Sequence, residues 1–304
     1  MREKPRTTGR PRGVGRQKQG VNRAQRLERA MHLSALTSMK STKPRESVDL
    51  FTQAALAAPA RAFSAGNGEP ATVVTLPSRL RVAARQSTQS GAGGDFFEVF
   101  QHDDGRVSVV VADVCGNGLV AAGFATEVRP ALHRALARGD SPGRLLAALN
   151  DGLTGQGGRD RFVTAVAVRI DARLRTAQVA CAGHLGPFVR RAGGFAEATN
   201  DATGVPLGLL PGETYVETTL ELEAGDALVL VTDGITDPLS NDDDPLGSEG
   251  FIRRLEAFAI AGDRAAHDAA RLCHALLDDA DPRRDDATVL VLQLPGRELL
   301  TIAA

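Results

Sequence analysis

The sequence predicts an α+β fold in which two antiparallel β-sheets pack face to face as a sandwich, flanked by helices. Three observations carry that prediction. Strand-like and helix-like runs come in consecutive pairs, whereas a parallel sheet with crossover helices requires strict alternation. Asp103-Asp104-Gly105 separates the β-rich run Phe96 to Phe100 from Val107 to Val111, and this turn signal returns the two strands antiparallel to one end of a sheet. Acidic residues recur at strand edges, at Asp95, Asp113, Asp233 and Asp285, and a sandwich of antiparallel strands brings such edges together.

The chain's 304 residues, 42% of them apolar, suffice for one sizeable core with a tail. A formal net charge of −1 conceals a division. Residues 1–45 hold 13 Lys and Arg against two acids, about +11, so the remainder is about −12. Met1 to Gly20 has too few apolar residues to offset chain entropy, and residues 1–45 read as a basic, disordered arm in which Asn22 caps a helix reaching about Lys40. No aromatic interleaving or recognised module accompanies that charge, so no nucleic-acid partner is expected. Cys115, Cys181 and Cys273 are odd in number and lack metal-ligand spacing, which indicates a reducing compartment. No apolar run reaches membrane-spanning length and no apolar signal core follows the N-terminal charge. The expectation is a cytoplasmic protein without a membrane partner.

Taken in order, residues 46–78 read as a short helix, Glu46 to Ala58, and a linker marked by Pro59 and Gly66-Asn67-Gly68. The folded body is placed at 79–296, with a tail at 297–304. It opens with a strand at Leu80 to Ala84, followed by the hairpin. Gly118 begins a helix whose alanine-rich part runs from Ala121 to Ala137; Gly139-Asp140 stops it, and Ser141 and Pro142 start another as N-cap and first helical residue. Phe162 to Ile170, Ala177 to Ala182 and Pro187 to Arg191 are β-rich runs punctuated by Asp171-Ala172-Arg173, by Gly183-His184-Leu185-Gly186 and by Gly193-Gly194. After a loop from Gly204 to Gly212 come strands at Tyr215 to Leu222 and Asp226 to Thr232. Helices at Glu249 to Ile260 and Arg264 to Leu277 precede a final strand, Val289 to Leu294.

Asp95 follows Gly93-Gly94, whose missing side chains let backbone crowd a ligand, and Asp113 emerges from the end of an apolar run. Convergent aspartates with glycine carbonyls nearby are hard oxygen donors, suited to magnesium or manganese and poorly suited to zinc. Aspartate and glycine are also ordinary turn residues, so GGD or DVCGNG alone carries little weight. The further clusters Thr232-Asp233-Gly234 and Asp285-Asp286-Ala287-Thr288 give the pattern its force.

Seven motifs follow in order: GGDFFEV (93–99), DVCGNG (113–118), FVTAVAVRID (162–171), AGH (182–184), GVPLGL (204–209), LVTDGITD (230–237) and DDATVLV (285–291). Through them the stretch from Leu80 to Leu294 resembles the PPM (2C-type) metal-dependent protein serine/threonine phosphatases, in particular their bacterial SpoIIE/RsbU-like branch. The resemblance implies the two-sheet sandwich with a metal site at one edge, and an enzyme that hydrolyses phosphoserine or phosphothreonine with two Mn²⁺ or Mg²⁺ ions. Asp95, Asp113, Asp233 and Asp285 would be ligands, with Asp113 bridging the ions and the Val114 carbonyl adding a ligand. Asp95 and Asp113 would act in catalysis through a water that the ions activate. Asp285, and not its neighbour Asp286, matches the family's ligand. Glu98 and Asp237 read as supporting or helix-capping groups and His184 as turn structure.

The implied partner is a phosphorylated protein, an anti-sigma-factor antagonist in bacterial signalling, with homodimerisation left open. Two departures stand out. Asn117 occupies a turn position where the family often has histidine, so a proton for the leaving oxygen has to come from another water. The loop from Ser87 to Gly94 carries no Arg or Lys, as in the SpoIIE-like branch generally. The alternative function is a non-catalytic binding module that keeps the fold and docks on a regulatory partner. A magnesium-dependent nucleotide enzyme is disfavoured by the lack of a P-loop or dinucleotide fingerprint.

Overall fold

The structure is a computed structural model describing residues 62–63, 72–76, 78–88, 92–154, 161–191, 194–197, 203–236, 247–260, 269–278 and 285–294. The chain divides into two compact units, Met1–Leu36 and Thr37–Ala304. The first unit lies outside the described residues, as do the basic arm, the expected helix at Glu46 to Ala58, Asp237 and the C-terminal tail. All that follows concerns the second unit.

Two sheets form its centre. The first is built from β1 (Ala62–Phe63), β4 (Phe96–Gln101), β5 (Val107–Val114), β6 (Val163–Asp171), β7 (Thr176–Ala182) and β10 (Thr203–Gly204) in that spatial order, with β11 (Thr218–Glu221) also pairing with β7. The second runs β2 (Thr72–Thr75), β3 (Arg81–Ser87), β13 (Ala287–Gln293), β12 (Ala227–Val231), β8 (Phe188–Arg191) and β9 (Gly194–Glu197). Every pairing is antiparallel except the two-residue β10–β7 contact, which is parallel. The sandwich is therefore as expected, with that one exception.

The strand sequences explain the layering. In β5 every residue but Asp113 is buried, although successive side chains point to opposite faces. Val107, Val109 and Val111 enter the core between the sheets with Phe97, Val168, Leu228 and Leu290. Val110, Ala112 and Val114 instead lie under α1 (Gly118–Arg138) and α2 (Pro142–Thr154). Coverage on both faces is why the run is continuously apolar. The second sheet is covered likewise: Phe251 and Leu255 of α4 (Gly247–Ile260) and Leu272, Cys273 and Leu276 of α5 (Ala269–Asp278) pack on Val229, Val289 and Val291. Full burial of a side chain such as Phe251 contributes roughly 1.5–3 kcal/mol. Among the described residues no helix is long and apolar enough to cross a membrane.

Several elements differ from the sequence reading. β1 and β2 lie in the stretch read as linker and pair with β4 and β3, and β9 and β10 occupy stretches read as turn and loop. The run expected as a strand from Tyr215 narrows to β11, while the Tyr215 ring is buried under α2 and its hydroxyl donates to the Val205 carbonyl at 3.0 Å. Gly139 ends α1 with φ 71°, as a C-terminal glycine should. Ser141 precedes α2 as expected, but its hydroxyl donates to Glu217 instead of accepting from the helix. Glu217 also accepts the Gly143 N–H at 2.9 Å, so a carboxylate 74 residues away satisfies the helix start.

Candidate metal centre at the edge of the sandwich

The ladder between β4 and β5 pairs Phe96 with Ala112, so one rung further Asp95 and Asp113 stand across from each other at the end of the first sheet. In the second sheet the β12–β13 ladder pairs Val231 with Val289, and the Thr232 N–H continues it to the Thr288 carbonyl at 3.1 Å. Just beyond lie Asp233, which opens the single turn α3 (Asp233–Thr236), and Asp285-Asp286 at the entry to β13. Both sheets thus deliver their aspartates to the same edge.

The two halves are joined through Asp95, which is 5% exposed. Its Oδ2 accepts the Thr232 hydroxyl at 2.6 Å and the Thr288 hydroxyl at 2.9 Å. Thr232 Oγ1 in turn accepts the Thr288 N–H at 2.9 Å, and Gln86 donates its side-chain amide to the Asp95 main-chain carbonyl at 2.6 Å. The second sheet thereby fixes a carboxylate belonging to the first. Asp286 acts on the backbone instead. It is buried, and its Oδ2 accepts the Gly94 N–H at 2.9 Å, holding down the loop that leads to Asp95. Asp285 is exposed at the strand entry and its Oδ1 accepts the Asp286 N–H at 2.8 Å.

Close backbone approach requires glycine at two points. A Cβ on Gly94 would lie 2.7 Å from the Val114 carbonyl oxygen and 3.1 Å from the Ala121 Cβ, so glycine there lets loop, strand end and α1 meet. A Cβ on Gly234 would collide with the Asp286 carbonyl oxygen. These glycines bring the acidic segments together.

The electrostatics are those of crowded acids. Asp113 is held well above the usual carboxylate range by burial, then by the charges of Asp95, Asp233, Asp285 and Asp286. Asp95 is raised chiefly by burial and further by Asp233 and Asp286, against the opposing hydroxyl bonds. Asp285, although exposed as a residue, is raised to about 6 by partial desolvation of its carboxyl at the sheet edge and then by Asp233, with the Asp286 N–H opposing. Among the described residues none of Asp95, Asp113 and Asp285 forms an ion pair with a basic side chain. Nor, among those residues, are three His, Cys, Asp or Glu side chains drawn into a closed coordination shell. Oxygen donors whose mutual repulsion raises their proton affinity suit a hard divalent cation, which relieves that repulsion.

The remaining sequence candidates fall elsewhere. Glu98 is buried on the helix-facing side of β4, where His133 Nε2 lies 3.1 Å and Arg129 Nε 3.6 Å from its carboxylate, so it ties the middle of α1 to the sheet and neither caps a helix nor joins the acidic group. His184 donates Nδ1–H to the Leu185 carbonyl at 2.9 Å, and burial lowers its pKa to about 4, leaving it neutral. Asn117 takes the N-cap position of α1 without a side-chain bond to the helix. Burial and the charge of Asp113 raise the Cys115 thiol, and burial pushes Cys181 up to about 12 and raises Cys273. Sequence reasoning missed Thr232, Thr288 and Gln86. The two threonines sit inside motifs that were read for their aspartates; Gln86 has no local signal.

Residues 103–295 match the family described as Stage II sporulation protein E (SpoIIE). The phosphoserine phosphatase RsbP of Bacillus subtilis (strain 168) is 23% identical over 167 residues, which cover 54% of this chain and 41% of RsbP. The chain thus spans less than half the length of that relative. A crystal structure of RsbU and RsbW domains from Mycobacterium tuberculosis matches with a TM-score of 0.61 at 24% identity, over 71% of this chain and 62% of that one. RsbX, solved in complex with magnesium, matches with a TM-score of 0.57 at 18% identity, over 74% of this chain and 99% of RsbX. At these identities the structural likeness is one of fold.

Proposed function

This chain belongs to the SpoIIE family, and from that premise we propose that it is a metal-dependent phosphoserine/phosphothreonine protein phosphatase. The observation that carries the proposal is the meeting of Asp95 and Asp113 from one sheet with Asp233 and Asp285 from the other at a single edge, where desolvation and then crowding raise proton affinity. We assign Asp95, Asp113, Asp233 and Asp285, with the Val114 carbonyl, as the groups that hold two Mn²⁺ or Mg²⁺ ions. RsbX, of the same fold, was solved with magnesium. Such ions supply a nucleophilic hydroxide at neutral pH and screen the charge of the transferring phosphoryl group.

The chain's own residues position and restrict. Thr232 and Thr288 keep Oδ2 of Asp95 turned toward the second sheet, fixing the orientation of the carboxylate. Asp286 holds the Gly93-Gly94 loop while Asp285 reaches outward, which supports Asp285 as the ligand of the pair. With its thiols raised toward the protonated form and His184 neutral and bonded to its own turn, covalent catalysis by these groups finds no support. A non-catalytic binding module would have no need of this set of aspartates.

RsbP is named a phosphoserine phosphatase, which supports the same chemistry here. The finer reading takes a phosphorylated anti-sigma-factor antagonist as physiological substrate. Hydrolysis of p-nitrophenyl phosphate and of a phosphoserine protein, each with added Mn²⁺ and with EDTA, tests the proposal: turnover is expected with the metal and none with the chelator. Equal turnover in EDTA overturns the metal assignment.

A further inference from the structure

Resting on the reading of this centre as a protein phosphatase, we infer that the first turn of α1 seats the partner's chain beside its phosphorylated residue, and that it selects phosphoserine or phosphothreonine flanked by apolar side chains. Leu119 and Val120 are 82% and 69% exposed. Only two other large hydrophobics among the described residues are comparably exposed, Leu174 and Val216, and each stands alone. Leu119 and Val120 form a pair, six and seven residues beyond Asp113.

The position of this turn is fixed by contact. Ala121, on its inner side, faces Gly94, which also lies against the Val114 carbonyl and immediately precedes Asp95. Leu119 and Val120, two and one residues before Ala121, are the exposed side chains of the same turn. Around them the surface is bare: Cβ atoms placed on Gly116 or Gly123 would meet nothing within 4 Å. The residues of the turn itself carry no charge, for no Asp, Glu, Lys or Arg occurs between Asp113 and Glu127, and one turn further on the Arg161 guanidinium lies over the Phe124 ring, 5.5 Å from its centroid.

A turn that carries two exposed aliphatic side chains and packs against the loop leading to the acidic edge is complementary to a chain segment that brings one phosphate and apolar neighbours. A polar flank leaves Leu119 and Val120 in water. The pair is thus a specificity determinant and takes no part in the chemistry.

The test uses the full chain with saturating Mn²⁺ and two phosphoserine peptides that differ only in having Leu and Val, or Ser and Asn, beside the phosphoserine. The wild type should favour the apolar-flanked peptide by roughly tenfold in kcat/KM, mainly through KM. In the double variant L119S/V120S that ratio should fall to about one, and L119M/V120I should restore it. Equal use of both peptides by a wild type that hydrolyses p-nitrophenyl phosphate overturns the seat and leaves the phosphatase reading intact. So does a preference that survives in L119S/V120S, including the case where the double substitution instead changes self-association. A wild type that hydrolyses neither peptide nor aryl phosphate overturns both.

Discussion

The first sheet carries aspartates at both ends, and the two ends treat them oppositely. At the hairpin end, Asp104 accepts the Arg106 N–H at 3.0 Å and its guanidinium Nε at 2.7 Å, which holds its pKa at about 2. Asp171, the last residue of β6, accepts the N–H groups of Arg173 and Leu174 in the turn to β7 at 3.0 and 3.1 Å. These carboxylates close turns, and the donors that satisfy them come from within a few residues. At the other end Asp95 and Asp113 are surrounded by low-dielectric interior and by further carboxylates, Asp285 of the second sheet among them, and the proton affinity of all three rises. Residue type alone therefore says little about an acid's role. What matters is whether its charge is answered locally or left for a ligand from outside.

Breaking the acidic edge should have the largest effect. Asp113→Asn removes one of the carboxylates proposed to hold the ions at nearly constant volume, and EDTA would withdraw those ions; either should reduce aryl phosphate hydrolysis to background while the cooperative thermal transition persists. Turnover titrated with Mn²⁺ and melting followed by circular dichroism check both. Near wild-type turnover of Asp113→Asn at saturating metal would place the centre elsewhere.

A smaller change follows from loosening the tie between the sheets. Thr232→Val removes one of two hydroxyl donors to a buried carboxylate and leaves the Thr288 N–H without its acceptor. Metal affinity should fall about 10–100-fold, and stability by about 1–3 kcal/mol. Activation curves in Mn²⁺ and urea unfolding measure the two losses separately.

Next comes pH, where the two ends should show opposite signs. The folded-state pKa of Asp285 lies at about 6, above the ordinary 3.8, so the folded metal-free protein binds that proton more tightly than the unfolded chain does. Its contribution lowers stability as pH rises from about 4 through 6. Asp104, at about 2, contributes stability present above the ordinary value and lost as pH falls toward 2. In EDTA, melting temperatures across pH should show Asp285→Asn flattening the decline between pH 4 and 6, and Asp104→Asn carrying a small deficit above about pH 4 that disappears as pH falls toward 2. The reverse pattern would contradict the contrast between the two ends. The smallest effect is that of Asp104→Asn at neutral pH: an exposed pair is worth at most about 1 kcal/mol, and hydrolysis should be unchanged.

Much of the fold was legible in the sequence. The hairpin at Asp103-Asp104-Gly105, the glycine stop at Gly139 and the paired helices all rest on local chemistry, and local chemistry is what a sequence displays. Some strands, β3 and β5 among them, run past the apolar stretches read for them because pairing extends them, and β13 begins at Ala287, two residues before its aliphatic run, since both β3 and β12 lie alongside. Long-range partners left no local trace. Thr288 and Asp95 are 193 residues apart, and Glu217 and Gly143 are 74. The error over Glu98 was avoidable: alternation along β4 puts Asp95 and Phe97 toward the inter-sheet side, and Glu98 toward the helices.

The burial of Tyr215 has a practical consequence. The chain contains no tryptophan and one tyrosine, so the tyrosine emission of the whole protein comes from this ring. It sits in the segment between β10 and β11 with its hydroxyl on the Val205 carbonyl, and burial raises its pKa. Tyrosine emission from the unlabelled protein thus watches one place, the seam where that segment meets α2. If the seam opens before the sandwich does, tyrosine emission will change ahead of the far-ultraviolet dichroism, and local opening can be followed without introducing a probe.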